Sequence, residues 1–238
     1  MKVFDKGFSL TWLGHSAFHL VTPRGKQVLV DPWLEGNPMA PVGDTPIRHV
    51  DLILLTHAHG DHAGDVVRLA QRFRCQVVCI HEASLWFAKQ GIESAVGMNK
   101  GGSLHISGLR VTMTNAAHSS SFDGADRAYG GEAAGYVVTL ENGATLYFAG
   151  DTGPMMDMQI IGDLYRPEVS VLPIGDLYTM GPREAAYAMK LLRSAWVVPC
   201  HYGTFPALTG TPDLLREELE KQGVQAQVIA PKPGETIR

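Results

Sequence analysis

The sequence predicts a layered α/β fold in which two β-sheets pack face to face and helices cover their outer surfaces. Three observations carry this expectation. Short apolar or alternating runs recur at residues 10–13, 17–21, 27–30, 52–55, 76–80, 109–114, 136–140, 145–149, 169–172, 196–199 and 226–229. They are rich in β-branched and aromatic residues and bounded by Gly, Asp or Asn, as strands are. The runs 52–55 and 169–172 are apolar on both faces, which suits a sheet buried between a helix layer and a second sheet. Helical periodicity marks residues 63–73, 82–89, 183–193 and 212–222, and more weakly 155–164. Two of these helices carry Pro182 and Pro212 in the first-turn region followed by acidic residues, a helix-start signal.

The chain has 238 residues, enough for one sizeable core, and is read as a single unit over residues 1–238. No Ser/Gly-rich linker or low-complexity tract divides it. Pro38, Pro41, Pro46, Gly36 and Gly43 mark one long loop, 35–49, expected at the rim of a site. Hydrophobic residues make up 45% and charged residues 18%, ordinary globular values. The net charge of −4 and the lack of any Lys/Arg run beyond a pair speak against nucleic-acid binding. No stretch of about 18 apolar residues suggests a membrane span, and the first ten residues lack a signal-peptide pattern. Three cysteines, Cys75, Cys79 and Cys200, fit core packing in a reducing compartment, so the cytoplasm is the expected location.

The chemistry concentrates in Thr56-His57-Ala58-His59-Gly60-Asp61-His62, where a hydrophobic strand runs into a turn and a helix. His57 and His59 project to the same side of extended backbone. Gly60 is expected to allow a sharp turn that brings Asp61 and His62 back to that side. Imidazoles and a carboxylate in this arrangement form a cup for a borderline divalent cation such as Zn2+. Further ligands are expected where other strands end: His118 after 109–114, Asp151 after 145–149 and His201 after 196–199. His15 and Asp31 also sit at turns, with structural and site roles equally open. A ligating histidine needs a carboxylate on its other nitrogen, which Asp31 or Asp176 could supply. His19, His49, His81 and His105 have no such context and are expected to be ordinary. Tyr178–Pro182 and Thr204-Phe205-Pro206 read as rim loops.

This order of His57, His59, Asp61, His62, His118, Asp151 and His201 resembles the motif set of the metallo-β-lactamase superfamily. Asp31-Pro32-Trp33-Leu34-Glu35-Gly36, Ala117-His118-Ser119-Ser120-Ser121, Asp151-Thr152-Gly153, Leu172-Pro173-Ile174-Gly175-Asp176 and His201-Tyr202-Gly203-Thr204 extend the likeness over the whole chain. They are similar to small metal-dependent hydrolases near the L-ascorbate-6-phosphate lactonase branch. The resemblance implies a four-layer αββα sandwich with its site at one edge. It implies two divalent ions, Zn2+ first and Mn2+, Ni2+ or Fe2+ as alternatives. His57, His59 and His118 would hold one ion, Asp61, His62 and His201 the other, and Asp151 would bridge them. A hydroxide shared by two such ions, about 3.5–4 Å apart, would attack an ester, lactone or phosphoester of a small-molecule substrate, with Asp61 handling the proton.

Other uses of the fold fit less well. The redox di-iron type replaces the residue at His59 by an acid, and thioesterase and nuclease types carry extensions or basic surfaces for which the chain shows no sign. A non-catalytic metal-binding or regulatory protein would be expected to lack a ligand. No macromolecular partner is implied, while a homo-oligomer is compatible with the sequence.

Overall fold

The computed structural model describes residues 3–41, 47–125 and 127–238. Two seven-stranded mixed sheets form its centre. The first contains β1 (Ser9–Trp12), β2 (Phe18–Val21), β3 (Gln27–Val30), β4 (Leu52–Leu54), β5 (Gln76–Ile80), β6 (Ala95–Met98) and, at its edge beside β1, β14 (Thr236–Ile237). The second contains β7 (Ser103–Ile106), β8 (Leu109–Asn115), β9 (Ala134–Thr139), β10 (Thr145–Phe148), β11 (Val169–Pro173), β12 (Trp196–Cys200) and β13 (Gln227–Val228), in chain order across the sheet. Each sheet is antiparallel in one half and parallel in the other. The helices are α1 (Gly60–Ala63), α2 (Val66–Phe73), α3 (His81–Lys89), α4 (Asp157–Tyr165), α5 (Pro182–Leu192) and α6 (Pro212–Lys221).

Strand periodicity explains the layers. In the second sheet Tyr136, Val138, Leu146, Phe148, Val171 and Val198 join the core shared with the first sheet. Their neighbours Val137, Tyr147, Leu172 and Val197 point the other way, into a core with Met158, Ile161, Met189, Leu192 and Leu215 of α4, α5 and α6. Alternate residues thus face a sheet and a helix layer, and both faces must be apolar. Each fully buried Leu, Val or Met contributes roughly 1.5–3 kcal/mol. On the first sheet Val66, Leu69 and Ala70 of α2 and Ala83 and Phe87 of α3 complete the core. The arrangement is the expected αββα sandwich.

The helix signals act as read. Pro182 and Pro212 occupy the first turns of α5 and α6, and the Thr211 hydroxyl accepts from the Leu214 amide at 3.2 Å. The helix expected over 63–73 is instead broken into α1 and α2 at Gly64 and Asp65. The Asp65 carboxylate is occupied there, accepting from the amides of Leu34 and Glu35 and from Arg68. Strands β6, β7 and β14 were not expected. β6 contains Gly97, above which α3 passes so closely that a Cβ would sit 2.5 Å from Ser84 Oγ. β7 lies at the sheet edge and is mostly polar or half-exposed.

All three cysteines are buried and free, as core packing requires. No helix is long and apolar enough to cross a membrane. In the loop 35–49, residues 42–46, with Gly43 and Pro46, lie outside the described residues. Met39 of that loop packs at Gly14 with its sulfur 3.3 Å from Thr204 Oγ1, so this part does reach the site edge.

Candidate metal centre

β1, β3 and β4 run in one direction in the first sheet, and β8, β10, β11 and β12 share one direction in the second. Their C-terminal ends deliver His15, Asp31, His57, His118, Asp151 and His201 to one edge between the sheets. The ligand atoms of His57, His59 and His118 lie within 4.8 Å of one another, as do those of His15, Asp61, His62 and His201. Asp151 stands between the two groups. Its Oδ2 is 3.0 Å from His201 Nε2, 3.3 Å from His62 Nε2, 3.6 Å from His118 Nε2 and 3.9 Å from His57 Nε2. All seven residues expected as ligands therefore converge.

Asp31 sets the proton positions. Its Oδ1 accepts the Thr56 amide at 2.8 Å and its Oδ2 accepts the Thr56 hydroxyl at 2.6 Å. With its proton directed to Asp31, Thr56 Oγ1 accepts from His57 Nδ1 at 3.0 Å. Asp31 Oδ2 also accepts from His62 Nδ1 at 2.8 Å. Both imidazoles thus carry a proton on Nδ1 and turn Nε2 towards the centre. His57 Nε2 meets His59 Nδ1 at 3.0 Å. The Ser120 hydroxyl accepts the Ala58 amide at 3.1 Å, fastening the loop between these two histidines.

His15 performs the corresponding task for Asp61. Its Nε2 donates to Asp61 Oδ2 at 3.1 Å, and its Nδ1 accepts from the Thr204 hydroxyl at 2.8 Å. Burial pushes the His15 pKa down to about 4, more than the hydrogen bond to Asp61 raises it, so the ring is neutral near pH 7. Burial opposes ionisation of Asp61, but the hydrogen bond from His15 and the nearby His62 outweigh it and hold the carboxyl well below its usual range.

The donor set fits a divalent cation. His62 Nε2, Asp151 Oδ1 and His201 Nδ1 are buried without a well-formed hydrogen bond. Burial drives His57 well towards its neutral form. At His62 burial also disfavours charge, yet Asp151 and Asp31 prevail and raise its pKa well above the ordinary value. A field that retains a proton between two carboxylates equally favours a metal ion in its place. Neutral imidazole nitrogens and carboxylate oxygens are the donors that borderline divalent ions take.

Backbone strain concentrates at the same edge. His15, Asp31 and His201 have φ of 54°, 46° and 52°, in the left-handed region. Each such non-glycine residue costs roughly 1–2 kcal/mol, a cost commonly found at functional sites. Gly150 (φ 64°) is the glycine that the site needs, because a Cβ would lie 2.8 Å from Ala134 O and 2.8 Å from Thr56 Cβ. Gly150→Ala is expected to destabilise the fold by roughly 1–3 kcal/mol through strain and overpacking. Thermal unfolding measures this, and an unchanged Tm would show that Thr56 has room to move.

Two expectations need correction. Gly60 has no left-handed backbone; it opens α1, where the extended chain at His59 turns into the helix, and a Cβ there would meet the carboxylate of the exposed Asp123 side chain. Asp176 ends its strand at the same edge but is exposed, and its carboxylate accepts from its own neighbour's amide, Leu177 N, at 2.9 Å. It makes no hydrogen bond to the clustered imidazoles, so Asp31 alone of the two candidates does so. His19, His49, His81 and His105 stand outside the cluster: His19 pairs with Gln27, His49 with Asp51, and His81 and His105 are exposed. Thr56 and Ser120 were missed as supporting residues, although Thr56 immediately precedes the first histidine of the motif. Trp33, Trp86 and Phe122 were missed as well; with Phe205 they line a cleft over His59 and Asp61.

Residues 26–202 match the family model described as Beta-lactamase superfamily domain. A UPF0173 metal-dependent hydrolase of Koribacter versatilis is 48% identical over 97% of this chain and 98% of its own. One of Roseiflexus sp. is 47% identical over the full length of both. Among solved structures, the metallo hydrolase Igni18 of Ignicoccus hospitalis superposes with a TM-score of 0.86 at 37% identity, covering 97% of each chain. An isothiocyanate hydrolase from Delia radicum gut bacteria gives 0.74 at 26% identity, covering 97% of this chain and 98% of that one. The chain belongs to the β-lactamase superfamily and, within it, to the UPF0173 metal-dependent hydrolases.

Proposed function

We propose that the converging side chains hold two divalent ions, Zn2+ foremost, and that the enzyme cleaves an ester, lactone or phosphoester bond of a small metabolite. His57, His59 and His118 would hold one ion, Asp61, His62 and His201 the other, with Asp151 shared. The observation that carries this reading is the position of Asp151 Oδ2, within 3.0–3.9 Å of imidazole nitrogens from both groups. Ions held there would lower the pKa of a water molecule and polarise the oxygen of the bond under attack.

The chain's own residues would supply the remaining steps. His15 leaves one Asp61 oxygen free, since its hydrogen bond goes to Oδ2. Asp61 lines the cleft, and that oxygen would orient the attacking water and accept its proton. The Asp31 network would keep the lone pairs of His57 and His62 aimed inward through turnover. Trp33 and Phe205, with ring centroids 6.1 Å apart, would limit solvent access beside His15.

Aryl esters, lactones and bis-4-nitrophenyl phosphate, offered with Zn2+, Mn2+ or Ni2+, test the reading directly. Turnover of at least one class is expected, reduced about 10²–10⁴-fold by Asp61→Ala. His118→Ala should lose most activity and also lower the metal content. Full turnover in either variant would contradict the two-ion reading.

A further inference from the structure

The cleft beside the cluster has a volume of about 620 Å³, the size of a small-molecule site. Its walls are aromatic and arrive on the same loops as the cluster residues. Trp33 follows Asp31 by two residues, Phe122 follows His118 by four, and Phe205 follows His201 by four. Trp86 on α3 stacks on Phe122 with centroids 3.8 Å apart and planes 11° from parallel. Trp33 and Phe205 form a second stacked pair, inclined at 28°. The apolar side chains of Ala63 and Val67 also line the cleft.

The charges in the cleft have one sign. Its lining includes the carboxylates of Asp61 and Asp123 and, among the described residues, no lysine or arginine. The nearby Arg68 is already engaged by Asp65 and Glu35. A phosphate or carboxylate at the remote end of a substrate would be desolvated there without a counter-charge and would face Asp123. An apolar ring would instead bury its surface against stacked aromatic rings.

We propose that this cleft selects neutral substrates whose remote end is a flat apolar or aromatic group, and disfavours phosphorylated or carboxylate-bearing metabolites. The inference rests on the hydrolytic reading of the adjoining centre and narrows its substrate class. It also separates the chain from hydrolases of phosphorylated sugars.

Three 4-nitrophenyl esters share one scissile bond and differ only in the acyl end: 3-phenylpropanoate, acetate and hemisuccinate. With the metal-loaded protein, kcat/KM should be about tenfold or more higher for phenylpropanoate than for acetate, and lower for hemisuccinate than for acetate. Trp33→Ala should shrink the phenylpropanoate-to-acetate ratio, and Asp123→Lys should raise kcat/KM for hemisuccinate severalfold. Binding is read separately by quenching of tryptophan fluorescence with neutral 4-nitrobenzyl alcohol, which should saturate and weaken about fivefold or more in Trp33→Ala. Saturable, Trp33-dependent binding without cleavage of any ester would support the cleft assignment while removing the ester reading of the centre. Preference for hemisuccinate, or quenching that neither saturates nor depends on Trp33, would overturn the proposal while leaving the metal centre intact.

Discussion

Replacing Asp151 with alanine is expected to bring hydrolysis down to the background rate and to release bound metal. Asp151 is buried, and its Oδ2 lies within 4 Å of imidazoles from both halves of the cluster. Burial alone would favour its neutral form, but His62 and His201 outweigh this and keep it well below the usual carboxylate range. A buried anion so placed holds the cluster's positive charges together, whether these are protons or metal ions. Loss of a partner that merely hydrogen-bonds to a ligand lowers metal affinity by about 10–100-fold. Loss of the shared carboxylate should therefore exceed about 100-fold. Asp151→Asn, which keeps the shape and removes the charge, should behave much like alanine. Metal analysis after gel filtration, beside turnover, checks both variants. A metal-replete and active Asp151→Asn protein would show that the charge is not what binds the ions.

The second large effect is expected at Asp31, a residue that need not touch the ions. Asp31 is 1% exposed, and its carboxylate accepts three hydrogen bonds, two from Thr56 and one from His62. Asp31→Ala leaves these donors buried and unpaired and should destabilise the protein by about 3–5 kcal/mol. For a chain of this length that lowers Tm by roughly 6–20 °C. Asp31→Asn is the informative comparison. Asparagine tolerates the left-handed backbone at this position and keeps one acceptor oxygen, so much of the stability should return. Its amide NH2, however, can accept neither the proton of Thr56 Oγ1 nor that of His62 Nδ1. Metal affinity should accordingly remain reduced by about 10–100-fold. Chemical denaturation and metal titration of the two variants separate the contributions. Equal metal affinity in Asp31→Asn and the unaltered protein would dismiss the proton-positioning role.

The legible parts of this molecule were those set by periodicity and by residues adjacent in sequence. The run 169–172 is apolar on both faces apart from Ser170, whose hydroxyl is satisfied by Ser194, because β11 has a sheet on one face and α5 on the other, and that double burial shows in its composition. His57, His59, Asp61 and His62 were legible because four ligand-type residues in six positions make no sense as core. His118, Asp151 and His201 were legible because each follows a recognisable strand.

What escaped depends on contacts between distant segments. Asp176 has the same local context as Asp151, a carboxylate just past a buried strand. The difference lies in its backbone, with φ of 68°, and in the amide of Leu177, which its side chain accepts. Gly60 was read as a conformational requirement, yet its backbone is that of a helix start, and what lies against it is the Asp123 carboxylate, more than sixty residues later in the chain. The stacking of Trp86 on Phe122 joins a helix of the first half to a loop of the second, and neither residue has a neighbour in sequence that announces it. Strand β6 was hidden because Gly97 serves the packing of α3 and breaks the apolar pattern.

The central claim is that the two side-chain groups around Asp151 form one two-ion hydrolytic centre. The most direct test is metal stoichiometry by elemental analysis during Zn2+ titration of chelator-stripped protein, with turnover followed at each step. Two ions per chain are expected, with activity rising as they bind; His118→Ala should remove one ion and most of the activity. Full turnover by stripped protein, or two ions retained by a His118→Ala, Asp61→Ala double variant, would contradict it.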